Sequence, residues 1–225
     1  MSVTFAGETI RPITVPARAT ANLSAFRDWA CSPGLPEKTK VSYFRGEVWV
    51  EMGKEQIFSY VRVKTEITRV LANIAKEFKL GMYLTDGLLL TNVAADLSGN
   101  PDGVYVSNDA FTSKRVKLVE GKEGGFVELV GTPDMVLEVV SDSSERKDNQ
   151  TLFEAYFDAE IPEYWLVDAR GDEVEFHVYK RGAKRYAVVK RQAGGWVRSP
   201  VFGKSFRLIR GTDATGQPEF TLEVK

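Results

Sequence analysis

An apolar run with a carboxylate at its centre constrains this chain more than any other feature. In Pro133-Asp134-Met135-Val136-Leu137-Glu138-Val139-Val140 the neighbours of Glu138 have the character of a buried strand. An ionised group is costly in such a place unless something holds it. A second acidic signature, Asn100-Pro101-Asp102-Gly103-Val104-Tyr105-Val106, sets another carboxylate at the mouth of an apolar strand. Carboxylates kept there need a cation, a lysine or a proton, and two of them on neighbouring strands would make a divalent-metal site. Spacing sorts the candidates. Asp134 and Glu138 share one strand face but, four residues apart at about 3.3 Å each, stand roughly 13 Å from one another. One ion, with oxygen ligands at about 2.0–2.6 Å, cannot take both directly. Asp102 comes from a different segment, which strand pairing can bring beside Glu138, so the expected pair is Asp102 with Glu138 and Asp134 is structural.

Each carboxylate also has a plainer explanation. Pro-Asp-Gly is a strong turn sequence in its own right, so Asp102 alone would suggest a turn. For Glu138 the alternative is a buried pair with lysine or arginine.

The rest of the composition narrows the function classes. With 43% hydrophobic residues, 225 residues can bury one sizeable core. Thirty basic against 31 acidic residues leave a net charge of -1, so no global basic footprint for nucleic acid exists, although a local groove can still be basic. The single Cys31 excludes an internal disulfide and a cysteine-rich zinc centre and fits a reducing, cytoplasmic setting. One histidine, His177, excludes any mechanism that needs a pair of them. No apolar run approaches ~18 residues, so neither export nor membrane insertion is expected.

Periodicity gives the order of elements. Residues 1–20, with two prolines, suggest an edge strand or an arm. Asn22 or Ser24 caps a short helix bearing Leu23, Phe26 and Trp29, ended by Ser32-Pro33-Gly34. Val41–Phe44 and Val48–Met52 flank Arg45-Gly46-Glu47 as a hairpin. From Lys54 to Lys79 the residues Ile57, Tyr60, Val61, Lys64, Ile67, Val70, Leu71, Ile74 and Phe78 recur at three- and four-residue steps, which predicts a long helix stopped before Gly81. Extended segments follow around Thr85-Asp86-Gly87, then the Pro101–Ser107 strand, a polar connection over Ser113–Lys122, and Phe126–Val130 leading into Met135–Ser141. Asp142–Asp148 forms a polar loop and helix start, and Leu152, Phe153, Tyr156 and Phe157 a helix ending before Pro162. Glu163–Asp168 is a strand, and a β meander runs from Glu173 through Val174–Tyr179, Tyr186–Lys190 and Phe206–Ile209. The expectation is one α/β domain over 1–225: an arm and short helix over 1–40, a core over 41–170 and a β-rich region over 171–225.

Pro133–Ser141, the polar loop with Lys147-Asp148, and the run from Tyr156 through Ile161-Pro162-Glu163-Tyr164-Trp165-Leu166-Val167-Asp168 resemble the Uma-two family, grouped with the endonucleases of the PD…(D/E)XK superfamily. The hairpin at Gly46-Glu47-Val48, the long helix and Pro101-Asp102 stand in the matching order, so the resemblance spans roughly residues 40–180. It implies a restriction-endonuclease-like fold, with a mixed central sheet, a long helix on one face, a second helix on the other and a β-rich C-terminal extension. It further implies a Mg²⁺- or Mn²⁺-dependent DNA endonuclease with Asp102 and Glu138 as metal ligands and a lysine that orients the attacking water. The positions where such a lysine is usual carry Val140 and Leu152 instead. Lys147 is the expected substitute, Lys64 on the long helix the reserve, and Glu66 a possible further ligand or a surface residue.

The missing lysines leave a rival open: a catalytically degenerate member of the same fold, acting as a nucleic-acid-binding or assembly module. A sugar-processing enzyme using paired carboxylates without metal, at a separation of about 5–9.5 Å, ranks last. A homodimer would serve cleavage of both strands of a duplex. The aromatics Trp49 and Trp165 belong in the core, and Trp196 on the surface. His177 is inert, Ser141–Ser144 is a loose phosphate nest or a helix cap, and Arg181, Lys184, Arg185, Lys190 and Arg191 form a basic hairpin facing phosphate or water.

Overall fold

A computed structural model describes residues 14–33, 35, 39–51, 55–122, 124–141 and 151–225 of the chain. Helix α1 (Leu23–Ala30) is capped by Asn22, whose side chain accepts from the Ala25 amide at 2.9 Å, and it buries Leu23, Phe26 and Trp29. Ahead of it, Ala17–Thr20 is a 3₁₀ turn whose Ala19 packs into the core beside α1, and residues 1–13 of the stretch expected as an edge strand or arm lie outside the described residues. Strands β1 (Lys40–Phe44) and β2 (Glu47–Glu51) form the anticipated hairpin. Arg45 and Gly46, with φ of 49° and 87°, supply the left-handed pair that a two-residue turn requires.

The long helical pattern divides in two. Ile57–Arg62 is a widened π-type turn, in which the Gln56 carbonyl accepts from both the Tyr60 and Val61 amides, at 3.2 and 3.1 Å. Helix α2 (Val63–Glu77) continues from it and buries Val63, Lys64, Ile67, Val70, Leu71 and Ile74. The apolar stripe is shorter than expected: Ile57 and Phe78, at its two ends, are 63% and 55% exposed.

Among the described residues, thirteen further strands complete the sheets, with two short helices. They are β3 (Gly81–Thr85), β4 (Leu89–Asn92), β5 (Leu97–Gly99), β6 (Gly103–Ser107), helix α3 (Asn108–Thr112), β7 (Val116–Glu120), β8 (Phe126–Gly131) and β9 (Met135–Val139). After them come helix α4 (Leu152–Asp158), β10 (Glu163–Asp168), β11 (Glu175–Arg181), β12 (Tyr186–Val188) and β13 (Val197–Arg198). Two final strands, β14 (Ser205–Thr212) and β15 (Pro218–Val224), close the chain's structured part. One six-stranded sheet has the order β2-β1-β5-β4-β8-β7, a second β12-β11-β10-β9-β6-β3, and a three-stranded sheet β13-β14-β15. Parallel pairs β4–β8 and β9–β10 within otherwise antiparallel ladders make both large sheets mixed.

Side-chain alternation along the strands sets the layers. On β9, Met135, Leu137 and Val139 join α2 and the three-stranded sheet in one core, while Val136 and Val140 join Phe44, Leu90 and Leu97 of the other sheet, with α4, in a second. Helix α1 covers the outer face of the first sheet through Phe26, Trp29, Val41, Tyr43 and Leu89. The expected mixed sheet with helices on its two faces is therefore the second sheet. The first sheet emerged only in three dimensions. Its edge strand β7 occupies the polar stretch expected as a connection, where only Val116 is buried on an otherwise exposed or half-buried strand. The expected C-terminal meander is split: β11 and β12 extend the second sheet, and β13, β14 and β15 form the third. No helix among the described residues is long and apolar enough to cross a membrane.

Glu163 ties that third sheet to the second. Fully buried on β10, its carboxylate accepts from Trp165 Nε1 and Ser199 Oγ, each at 2.6 Å, and from the Val201 amide at 3.1 Å. Burial pushes its pKa up from the ordinary 4.5 against the pull of these donors. The folded state therefore holds this proton more tightly than the unfolded chain, and its contribution declines as pH rises from about 4.5 through the raised folded value. Glu163→Gln should lose about 1–3 kcal/mol in urea unfolding through a mismatched donor and should lack that part of the pH slope. An unchanged slope would show that Glu163 is not its source.

Candidate functional site

Asn100, Pro101 and Asp102 form the short crossover from β5 in the first sheet to β6 in the second. Asn100 anchors it, accepting from the Val41 amide at 3.0 Å and donating to the Leu88 carbonyl at 2.7 Å. Asp102 then projects into the seam between the sheets and α2, 1% exposed. Its Oδ2 accepts from the Val139 amide at 2.8 Å, and its Oδ1 accepts from Lys40 Nζ at 2.5 Å and from the Tyr60 hydroxyl. A strand of each large sheet and the turn leading into α2 thus meet on one carboxylate.

A second crossover, from β3 to β4, brings Asp86 to the same place. Lys64, on α2, lies 2.8 Å from Asp86, 3.5 Å from Glu55 and 3.8 Å from Asp102, with its ammonium 4.5 Å from the centre of the Tyr60 ring. Lys40 lies 3.5 Å from Asp86 and 3.7 Å from Glu55. Burial alone would pull the Lys40 ammonium down, but the charge and hydrogen bond of Asp102, with Asp86 and Glu138 behind, outweigh it and hold Lys40 above the ordinary lysine range. Burial, followed by the Asp102 charge, drives the Tyr60 phenol far upward, so it remains a donor.

Strands β6 and β9 pair antiparallel with Gly103 opposite Leu137, and one further step along that register sets Asp102 opposite Glu138. Glu138 is 4% exposed, and its Oε1 accepts from the Tyr156 hydroxyl of α4 at 2.5 Å. Both carboxylates act on Lys40, Tyr60 and Tyr83. The Tyr83 hydroxyl is buried over Gly103 beside Thr68 and makes no hydrogen bond of good geometry among the described residues. Burial, then Asp102, raises its pKa. Among the described residues no three histidine, cysteine or acidic side chains gather in a metal-binding cluster.

Other expected residues fall elsewhere. Lys147 and Asp142–Ser144 lie outside the described residues. Val140 and Leu152 are buried in the core between the sheets. Asp134 is structural, accepting from the Ser107 amide at 2.7 Å and pairing with Arg115 at 2.6 Å. Glu66 belongs neither to the site nor to a free surface: it pairs with Arg69 at 2.8 Å and accepts from the Leu222 amide at 3.0 Å, fastening β15 to α2. The His177 ring lies tilted at 5.8 Å from that of Tyr179, and Trp196 is half-buried beneath Arg207 and Lys225. In the basic hairpin, Arg181 and Arg191 donate to the Phe157 and Phe176 carbonyls. Sequence reasoning missed Lys40, Glu55, Tyr83 and Asp86, and counted Tyr60 as core. The available signal was Tyr60 and Lys64, two polar-tipped residues four apart on an apolar helix face.

Comparison with known proteins agrees with this architecture. The family profile Uma2, described as "Putative restriction endonuclease", matches residues 23–209. A crystal structure of "a putative nuclease belonging to DUF820" from Anabaena variabilis superimposes with a TM-score of 0.57 at 18% identity, covering 81% of this chain and 90% of that one. No curated protein matches significantly.

A Cβ at Gly103 would stand 2.0 Å from the Tyr83 hydroxyl and 2.7 Å from its ring carbon Cζ. Gly103→Ala should therefore cost about 1–3 kcal/mol in urea unfolding, and less in a Tyr83→Ala background. An equal cost in both backgrounds would show that Tyr83 is not the obstacle.

Proposed function

The chain belongs to the Uma2 family, and from that membership we propose a metal-dependent nuclease that hydrolyses DNA phosphodiester bonds, with Asp102 and Glu138 as the carboxylates that hold Mg²⁺ or Mn²⁺. The observation that carries the reading is the bond from the Val139 amide to Asp102, which fixes that carboxylate on the strand residue next to Glu138. The donor set fits a hard divalent ion, since it offers carboxylate oxygen and no sulfur or imidazole. Among the described residues, the carboxylates of Glu55, Asp86 and Asp102 gather around the ammonium groups of Lys40 and Lys64, and Glu138 acts on Lys40 as well. Bound there, such an ion polarises the scissile phosphate and lowers the pKa of a water.

The chain's own residues do the positioning. The Val139 amide and the Tyr60 hydroxyl fix the two oxygens of Asp102, and Tyr156 fixes Glu138. Lys64 brings positive charge to the site from α2 and is the lysine that the geometry supports for stabilising charge on the phosphate. Lys147, which follows the Glu138 strand, remains the alternative source. The setting proposed is cytoplasmic, with a homodimer placing one site on each DNA strand.

Purified protein should nick plasmid DNA in Mg²⁺ or Mn²⁺. Asp102→Asn and Glu138→Gln should each abolish cleavage, and Lys64→Met should lower kcat by about 10²–10³-fold with the fold intact by circular dichroism. If Lys147→Met rather than Lys64→Met has that effect, the lysine assignment moves. Inert wild-type protein on plasmid, linear and single-stranded DNA would sink the catalytic reading. A degenerate, DNA-binding member of the family is the second reading, favoured by the valine and leucine at the usual lysine positions. DNA binding without metal binding in calorimetry would establish it.

A further inference from the structure

Asp102 is buried and charged, so in the metal-free protein something must balance it. Lys40 does so at 2.5 Å, and the two lysines of the site are not equivalent in how they are held. Lys64 has a 9% exposed side chain and is pinned to Asp86 at 2.8 Å. Lys40 is twice as exposed, at 19%, and projects from the first residue of β1. It also has a second berth. The carboxylates of Asp86 and Glu55 lie 3.5 and 3.7 Å from its ammonium, and both side chains are 43% exposed at the outer rim of the site. Asp102 Oδ2 accepts from a backbone amide, while Oδ1 accepts from both the Tyr60 hydroxyl and the Lys40 ammonium, so an ion drawn to Oδ1 meets Lys40 there.

Resting on the metal-binding reading of Asp102, we propose that the Lys40 ammonium is a resident counter-ion and that a divalent ion enters by exchange, with Lys40 passing from Asp102 to Asp86 and Glu55. Lys40 is then a positioning residue: it holds the carboxylate for the ion and yields to it. Two consequences distinguish this from a plain structural ion pair. Removing the ammonium removes a competitor, so metal binds more tightly. It also leaves the buried carboxylate without its 2.5 Å cation, with Lys64 at 3.8 Å, so the metal-free protein is less stable and the metal restores it.

The test is Mn²⁺ titration calorimetry and thermal melting of the full chain, comparing wild type with Lys40→Met, Lys40→Gln and Asp102→Asn. Lys40→Met should bind Mn²⁺ about tenfold more tightly, melt at a lower temperature without metal, and recover in saturating Mn²⁺. Lys40→Gln, which keeps a donor for Asp102 and guards against a misfolded methionine variant, should shift affinity in the same direction. Asp102→Asn should bind no Mn²⁺. Wild type and folded Lys40 variants with equal affinity, or weaker binding by the variants, would overturn the exchange while leaving the metal reading intact. Binding by the variants but not by wild type supports it. No binding by any of them would overturn the metal reading of Asp102, and the exchange with it.

Discussion

A single buried carboxylate closes the seam of this molecule. Asp102 receives a lysine from the first sheet, a tyrosine hydroxyl from the turn before α2, and a backbone amide from the second sheet. Each large sheet could satisfy its own ladder without the other, but this charge cannot be satisfied by either alone. A buried ion stripped of one partner costs several kcal/mol, so the contacts at Asp102 fix how the layers meet. Pro101 and Gly103 serve the same end on either side: the first opens the strand, and the second leaves room for the Tyr83 ring.

Much of the fold was legible because short-range rules governed it. Arg45-Gly46 marked the hairpin, its turn one residue shorter than the expected Arg45-Gly46-Glu47, Asn22 was one of two expected caps, and Glu163–Asp168 is a strand with the bounds expected. The apolar run around Glu138 located its strand. What periodicity could not supply was the partition of strands between sheets. Thr85-Asp86-Gly87 and Asn100-Pro101-Asp102 have the composition of turns, yet each carries the chain from one sheet to the other. The division of the site follows from those crossovers. Asp102 and Glu138 were found because acids are conspicuous in apolar runs; Lys40 and Asp86 stand in polar stretches, where nothing local marks them.

The same logic explains a family member whose usual lysine positions hold valine and leucine. Val140 and Leu152 fill the core between the sheets, where an ammonium would face packed hydrocarbon. Among the described residues, the ammonium groups that reach Asp102 come from β1 and α2.

The widened turn at Ile57–Arg62 has a historical consequence. Its Gln56 carbonyl serves two amides, so this stretch holds one residue more than a regular helical turn would. Deleting one residue between Glu55 and Tyr60 would close it to a regular turn and shift Glu55 relative to both lysines. Descendants of this chain must keep the length of this bend to hold Glu55 beside the two lysines. Gaps between lineages should therefore avoid it.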